Sequence, residues 1–350
     1  MPFPSPQGTQ VYVRASTRAL AAAGHALTLV CYGHGDGPTD PGLRVVRTPR
    51  VPGYRRLRSG PDLVKPALAL ALARRIAAEP ADIVLAHHVE ALAAALVARR
   101  WTRVPVVWVN HTLLAEELGS YAPALSEAVD HLGGWVDRGL ARHADGIVTL
   151  SDRAAAWFRA TGHPRVHVLP PAIDPGDFAD VSPAETPART LVYAGNPDRY
   201  QDLDVIVAAM RHLPDVHLRW VSHAPSAGVG VGEWIQVSGW AAARNLLAGA
   251  AVAAVPRMRC GGVPMKLLNA LALGVPTVVA EGSALGLPGE VSVVGGDPVA
   301  FADGVRRGLA HGRFDPAPIH RRCDWGTVAN RLSHIFHETV VSVSRQVGVY

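Results

Sequence analysis

Cysteine is scarce in this sequence, and the three cysteines are widely separated. Cys31, Cys260 and Cys323 include no CxxC pair, which excludes the disulfide framework of a small secreted protein. An odd and sparse set of cysteines is typical of a reducing cytoplasm. The zinc-finger, homeodomain and RNP signatures of nucleic-acid-binding proteins are absent as well. We therefore expect a cytoplasmic protein without a nucleic-acid partner.

Long apolar runs are also missing. The opening residues, MPFPSPQG, lack the basic and apolar stretches of a signal peptide. The best candidate for a membrane span, Leu246–Val255, falls short of the ~20 residues that cross a bilayer. Acidic residues are in a slight minority, and the formal net charge is +5. This charge suits an anionic ligand or an anionic membrane surface and is too small to indicate nucleic acid.

The sequence does contain a regular alternation of short β-branched runs with Ala- and Leu-rich segments. This alternation is typical of α/β proteins, in which parallel sheets are covered by helices. The expected strands of the first half are Ala26–Cys31, Arg44–Arg47, Asp82–Ala86, Val104–Val109, Gly146–Leu150 and Val166–Leu169. The expected helices between them are Val11–Ala23, Leu63–Ala78, Val89–Arg100, Ala124–Arg142 and Arg153–Thr161.

A segment rich in proline and acidic residues, 170–188, then has the composition of a linker. A second series of strands follows it: Thr190–Ala194, His217–Val221, Trp234–Val237, Ala251–Val255, Thr277–Ala280 and Val291–Val294. A long amphipathic helix, about Trp325–Val343, closes the chain. A doubly wound sheet usually opens with a buried strand, whereas this chain reaches Gly8 at once. We expect either that the first strand is missing or that the natural chain starts further upstream.

One stretch, Cys260–Ala280, combines a glycine-rich turn, a helix with a single lysine, and a buried strand. A glycine turn that leads into a helix N-terminus is an anion site, because free backbone N–H groups and the helix dipole point the same way. Lys266 adds a full positive charge in the first turn. By itself the stretch is equally compatible with a surface lysine on one more strand–helix unit.

The order of motifs resembles the family 4 retaining glycosyltransferases over essentially the whole chain. The resemblance rests on eight segments taken together: PSPQGTQVYV near the start, AGHALT at 23–28, ADIVLAHH at 81–88, VNHT at 109–112, ADGIVTLS at 144–151 with VLPPAID at 168–174, LVYAG at 191–195, SGW at 238–240, and the Cys260–Ala280 stretch. The implied fold is GT-B, with two doubly wound Rossmann-like domains facing each other across a cleft. The implied boundaries are an acceptor domain at 1–170, a linker at 171–189, a nucleotide-sugar domain at 190–324, and a C-terminal helix at 325–350 that packs back on the N-terminal domain.

The resemblance implies transfer of a sugar from a UDP- or GDP-sugar to an acceptor, with retention of the anomeric configuration and without a cofactor or a catalytic metal. Three residues are implied for catalysis: His111 beside the sugar, and Lys266 and Arg199 at the diphosphate. The implied donor-binding residues are Gly8, Gly195, Asn196, Gln201, Trp240, Gly261, Gly262, Val263, Pro264, Met265 and Asn269. The implied acceptor-binding residues are Gln10, Tyr12, His87 and Glu117.

The sequence departs from the family pattern at two places. Gly261 and Asn269 stand where the family has two glutamates eight residues apart. The Asn269 amide can still form a hydrogen bond to a ribose hydroxyl, but it is neutral and does not provide the charge of a carboxylate. Asn196 and Gln201 stand where an arginine and a lysine are usual. Arg199 and Lys266 are thus the cations expected to meet the diphosphate. The nucleotide site is expected to be kept, with a different recognition of the sugar.

A metal site is not expected at His87 and His88, because neighbouring residues of a strand point to opposite faces and no carboxylate or cysteine cluster completes a site. Seven basic residues, Arg44, Arg47, Arg50, Arg55, Arg56, Arg58 and Lys65, lie in the first half among apolar and aromatic residues. They are interpreted either as a solvated loop or as a peripheral contact with the anionic inner face of the membrane.

Two further functions stay open beside the transferase. The missing glutamates are compatible with a catalytically weak homologue that acts as a nucleotide-binding or partner subunit. Another GT-B activity, such as an epimerase or a phosphorylase, is the least supported. The acceptor of a transferase is either a small molecule with an O-, N- or S-nucleophile or a membrane lipid or glycan.

Overall fold

The computed structural model describes residues 3, 8–34, 40, 42–52, 63–118, 126–198, 201–226, 230–260 and 262–347. The chain divides into two compact units. The first unit contains Met1–Pro171 and Trp325–Tyr350, and the second unit contains Ala172–Asp324. None of the described helices is long and apolar enough to cross a membrane.

The first unit is built from helices packed around short parallel strands. Its elements in chain order are α1 (Gly8–Ala22), β1 (Thr28–Cys31), β2 (Arg44–Arg47), α2 (Lys65–Ala78), β3 (Val84–His87), α3 (His88–Thr102), β4 (Val106–Asn110), α4 (Leu114–Glu117), α5 (Ser126–Ala141), β5 (Gly146–Thr149), α6 (Asp152–Ala160), β6 (Val166–Val168) and α12 (Trp325–Val347).

Two parallel groups of strands make up the first unit. β1 pairs with β2, and the other four strands follow the order β3-β4-β5-β6. In the described part of the chain, no strand joins the β1–β2 pair to the sheet of β3, β4, β5 and β6. Every residue of β4 and β5 is buried, as expected for β-branched strands covered on both faces. Because β3 and β4 are parallel neighbours, their carboxyl ends lie side by side at one edge of this sheet.

The second unit contains one six-stranded parallel sheet. Its elements are β7 (Thr190–Ala194), α7 (Asp204–Ala209), β8 (His217–Ser222), β9 (Glu233–Gln236), α8 (Trp240–Ala248), β10 (Val252–Val255), α9 (Met265–Ala272), β11 (Thr277–Ala280), β12 (Glu290–Val293), α10 (Pro298–His311) and α11 (Ala317–Arg322). The strand order is β12-β11-β10-β7-β8-β9.

The order of the second sheet reverses between β7 and β10. Strands after β7 are added on one side, and strands after β10 on the other. In doubly wound sheets, ligands bind at this reversal, beyond the carboxyl ends of the strands. The loops after Ala194 and Val255 and the start of α9 all meet there. The α/β prediction is confirmed, and the predicted strands agree with the observed ones to within two residues at each end.

Candidate functional site

The reversal point of the second unit is occupied by a group of four residues, Tyr193, Asn196, Gln201 and Lys266, which we call the lysine cluster. Lys266 lies in the first turn of α9 and is partly buried. Its Nζ donates to the Tyr193 hydroxyl at 2.8 Å and to Gln201 Oε1 at 2.5 Å. Nζ also lies 4.4 Å from the centre of the Tyr193 ring, a cation–π contact. The ammonium is thus held by neutral groups.

Burial and a second cation change the acidity of Lys266. Desolvation lowers its pKa to about 7, with a further lowering by the nearby Arg257 and opposing effects of Cys260 and Asp198. Desolvation acts in this direction because it penalises the charged form of a lysine. The positive potential at the start of α9 therefore comes from Lys266 and Arg257 together.

The loop between β10 and α9 is anchored at several points. The Met258 N–H donates to Asp202 Oδ2 at 2.8 Å, and the Ser283 hydroxyl donates to the Arg257 carbonyl at 2.7 Å. A Cβ on Gly282 would lie 1.8 Å from the Met258 carbonyl oxygen, so this glycine permits the close approach of two loops. These contacts fix the backbone that bears Arg257 and leads to Lys266.

Four of the predicted donor-binding residues of this unit lie close to Lys266 in space or along the chain. Gly195 lies against Lys266, since a Cβ there would be 2.9 Å from Nζ. Asn196 and Gln201 belong to the lysine cluster. Asn269 lies one turn after Lys266 on α9 and is half-buried. Arg199 and Gly261 lie outside the described residues, so their predicted roles stay predictions.

The remaining predicted residues around α9 have structural contacts as well. Val263 and Met265 pack against the apolar cluster that includes Leu267 and Leu271. The Gly262 carbonyl accepts from Cys260 Sγ at 3.2 Å, and Pro264 is the residue before the helix. Trp240 opens α8 and packs edge-on against Phe178, at 5.8 Å between ring centres.

A histidine cluster, formed by His87, His88 and His111, lies at the carboxyl edge of β3 and β4 in the first unit. His87 Nδ1 and His111 Nε2 are hydrogen-bonded at 3.0 Å, and the His88 ring stacks on His111 at 5.6 Å between centres. The Tyr12 ring contacts His111 edge-on at 4.9 Å and Trp325 at 5.1 Å. The Tyr12 hydroxyl is sealed from solvent without a hydrogen-bond partner.

This cluster corrects the expectation that His87 and His88 point to opposite faces. β3 ends at His87, and His88 begins α3 with a left-handed φ of 73°. Both rings consequently reach His111. Among the described residues, no group of three or more His, Cys, Asp or Glu side chains could hold a metal ion.

His87 and His111 are neutral at physiological pH. Burial lowers the pKa of His87 to about 3, and burial lowers the pKa of His111 well below its usual value. Neutral rings offer one donor and one acceptor nitrogen each, which suits hydroxyl groups. Burial also raises the pKa of Tyr12, so its hydroxyl stays protonated.

Other predicted residues of the first unit lie around the histidines. Gly8 is the first residue of α1, and the Thr9 hydroxyl is 3.3 Å from His88 Nε2. Gln10 is buried in the same helix. Glu117 belongs to α4, but its side chain lies outside the described residues. The neighbouring Glu116 forms an ion pair with Arg153 at 2.5 Å.

Four of the seven basic residues that were considered for a membrane contact form ion pairs or hydrogen bonds within the protein. Arg44 pairs with Glu79 at 2.9 Å and Lys65 with Glu90 at 2.6 Å. Arg47 donates to the Phe3 carbonyl and Arg50 to the Gly33 carbonyl. Arg55, Arg56 and Arg58 lie outside the described residues, and the predicted membrane contact at these three stays a prediction.

Sequence reasoning missed Tyr193 and Arg257. Tyr193 lies inside β7, where an aromatic residue is expected to belong to the core, and nothing local marks its hydroxyl as a partner of Lys266. Arg257 follows the buried strand β10 after a single proline. A cation directly after a central parallel strand was the available signal.

Two family models match the chain. Residues 6–177 match the model described as Glycosyltransferase Family 4, and residues 188–311 match the model described as Glycosyl transferases group 1. No curated protein matches the sequence.

Several solved structures share the fold over nearly the whole chain. Sucrose-phosphate synthase from Thermosynechococcus elongatus has a TM-score of 0.74 at 18% identity, covering 97% of this chain and 93% of that one. Alr3699/HepE of Anabaena in complex with UDP and glucose has a TM-score of 0.68 at 14% identity, covering 97% and 98%. The catalytic domain of starch synthase IV from Arabidopsis thaliana, bound to ADP and acarbose, has a TM-score of 0.67 at 13% identity, covering 96% and 97%.

At these identities the solved structures establish the fold, and they confirm the GT-B prediction. The two family models cover most of both units. The family models and the shared fold identify this chain as a glycosyltransferase of the GT-B type.

Proposed function

We propose that this glycosyltransferase takes its sugar from a UDP- or GDP-sugar and transfers it with retention of the anomeric configuration. The observation that supports the donor site is Lys266, a partly buried cation whose hydrogen bonds go to neutral partners. Charged side chains are rarely buried without a counter-charge. A diphosphate at the start of α9 would supply this counter-charge.

The position of Lys266 agrees with this proposal. It lies at the reversal of strand order, where doubly wound sheets bind their ligands. The first N–H groups of α9 and the positive end of its dipole are directed towards the same place. Arg257 adds a second charge nearby. These groups would stabilise the negative charge that develops on the diphosphate as the sugar leaves, without a metal ion.

The remaining donor contacts are assigned by position. Asn269 lies one helical turn beyond Lys266, and its amide would bond a ribose hydroxyl. Trp240, at the start of α8, would lie against the base. Arg199 and Gly261 complete the proposed set. HepE and starch synthase IV were crystallised with UDP and ADP respectively, so nucleotide diphosphates bind to proteins of this fold.

In the first unit, the histidine cluster is the proposed place of the sugar or the acceptor. His111 Nε2 is engaged with His87, which leaves His111 Nδ1 as the nitrogen that meets a ligand hydroxyl. Gln10, Tyr12 and Glu117 are the other acceptor residues in this proposal. The acceptor is either a small molecule with an O-, N- or S-nucleophile or a membrane lipid or glycan.

Isothermal titration calorimetry with UDP, GDP and ADP tests the donor site. We expect UDP or GDP to bind, and Lys266→Ala to weaken this binding about 10- to 100-fold through loss of charged hydrogen bonds. Lys65→Ala is the matched control, because Lys65 is the other of the two lysines of the chain and is paired with Glu90. Failure of all three nucleotides to bind at millimolar concentration would remove the proposal.

A nucleotide-binding subunit with weak catalysis is the second candidate. It is favoured by Gly261 and Asn269, which stand in the places of two glutamates. Hydrolysis of the donor sugar separates the two candidates once binding is shown. Turnover that depends on His111 and Lys266 supports the transferase, whereas tight binding without any turnover supports the subunit.

A further inference from the structure

The lysine cluster contains a chain of hydrogen bonds whose polarity is fixed. The Tyr193 hydroxyl donates its proton to the Asn196 carbonyl at 2.7 Å. Its oxygen can therefore only accept from Lys266, at 2.8 Å. Gln201 Nε2 donates to Asn196 Oδ1 at 3.4 Å, which turns Gln201 Oε1 towards Lys266. Asn196 in turn donates to the Asp198 carboxylate.

We propose that Gln201 is a positioning residue that, with Tyr193 and Asn196, fixes the Lys266 ammonium and leaves its charge uncompensated for the ligand. This inference rests on the proposed function, in which that ligand is the donor diphosphate. Gln201 is itself buried, at 4% exposure, so its amide is held in place. The nearest carboxylate of the network, Asp198, is separated from Lys266 by two neutral amides.

The other lysine of the chain shows the alternative arrangement. Lys65 Nζ lies 2.6 Å from a Glu90 carboxylate oxygen, which neutralises it. A carboxylate in the place of the Gln201 amide would do the same to Lys266, with nearly the same shape. The anion site therefore depends on a neutral acceptor at residue 201.

Two substitutions of Gln201 separate the effect of losing the acceptor that positions Lys266 from the effect of adding a counter-charge to it. Gln201→Glu keeps an acceptor but adds a counter-charge, and we expect UDP or GDP to bind about 10- to 100-fold more weakly. Gln201→Met keeps the volume and removes the acceptor, and we expect about tenfold weaker binding because Lys266 loses its anchor. Ala310→Glu is the control for added charge, since Ala310 is exposed in the last turn of α10. This turn lies near the amino end of β10, because Gly308 lies against Val252, whereas Lys266 lies beyond the carboxyl ends of the strands. We expect it to bind as the wild type does.

The protonation of Lys266 gives a second readout that does not require a nucleotide. Lysine labelled with ¹³C at Cε gives two signals in this chain, which Lys65→Arg assigns. In the wild type we expect a titration near pH 7, as the lowered pKa of Lys266 predicts. Gln201→Glu should raise the pKa of Lys266, and Gln201→Met should lower it further, because the charged form gains a carboxylate in one and loses an acceptor in the other.

The two measurements distinguish the inference from the proposed function. Opposite pKa shifts of Lys266 in the two variants, with weaker binding in both, support the inference. Equal pKa values in all three proteins, or a Gln201→Glu variant that binds nucleotide within twofold of the wild type, overturn it. Absence of nucleotide binding in the wild type removes the proposed function, while the lysine titration still decides whether Gln201 positions Lys266.

Discussion

At the scale of single residues, the buried His111 makes the free energy of unfolding of the protein depend on pH. Its pKa in the folded chain is lowered well below the ordinary 6.5 by burial. Below pH 6.5 the unfolded chain binds a proton at this residue that the folded chain does not. The free energy of unfolding therefore rises with pH through this range and falls as the pH drops below 6.5.

We expect His111→Asn to flatten this dependence. Each histidine kept neutral by the fold contributes up to about 1.4 kcal/mol per pH unit in the window below 6.5. Urea denaturation at pH 7, 6, 5 and 4 measures the free energy of unfolding for the variant and the wild type. The curves should converge towards low pH, and parallel curves would show that His111 takes up its proton in the folded state.

The sequence singles out candidate site residues more readily than it predicts the contacts between them. Lys266 was singled out because it follows a glycine turn at the start of an apolar helix and because that stretch is the last in the ordered series of motifs. The contact of His88 with His111 was not predictable, because it depends on the left-handed backbone at His88, which no residue type near it demands. The pairing of Lys266 with Tyr193 and Gln201 joins residues 73 and 65 positions apart.

At the scale of elements, two glycines in loops of the second unit should respond differently to replacement by alanine. At Gly195 the new Cβ meets the end of the Lys266 side chain at 2.9 Å. The Lys266 side chain can move, but the φ of 159° at Gly195 is one that residues with a Cβ rarely adopt. Gly195→Ala should therefore cost about 1 kcal/mol of stability and also weaken nucleotide binding by displacing the ammonium. At Gly282 the new Cβ meets the Met258 carbonyl at 1.8 Å.

Backbone cannot give way as cheaply, so Gly282→Ala should destabilise the fold by about 2–4 kcal/mol. Differential scanning calorimetry and nucleotide titration of both variants test the contrast. Gly139→Ala is the control, because nothing lies within 4 Å of a Cβ there and the residue is inside α5. It should raise stability by about 0.5–1 kcal/mol. Equal losses of stability in the two loop variants would contradict the assignment.

The elements themselves were predictable because apolar runs of four to six residues alternate with longer helical segments. The ends of the elements were less predictable. β3 was expected to end at Ala86 and ends at His87, and the final helix extends to Val347 instead of Val343. Strand ends are set by pairing with neighbouring strands, which is information from distant residues.

At the scale of the whole molecule, the last helix belongs to the first unit although it follows the second in sequence. Leu332 of α12 is 1% exposed, and α12 packs against α1. We expect Leu332→Ala to destabilise the first unit by about 2–5 kcal/mol. The affinity of the second unit for nucleotide should stay within twofold of the wild type. Hydrogen exchange resolved by peptide locates the loss, and a loss of protection in residues 190–322 would contradict this division.

The α/β class and the two series of strands followed from the sequence, and the GT-B fold followed from the order of its motifs. The strand order within each sheet did not, because hydrogen bonding between strands leaves no trace in the local pattern of apolar residues. The reversal between β7 and β10 is visible only once the pairings are known, and it is this reversal that brings Gln201 and Lys266 together.

The low proton affinity of Lys266 has a chemical consequence of its own. A lysine with a pKa of about 7 is half unprotonated in neutral solution, and the free amine is a nucleophile. Only one other lysine is present in the chain, and it is tied to Glu90. Mild acylating reagents at neutral pH should therefore modify Lys266 before Lys65, which would place a covalent label at the start of α9.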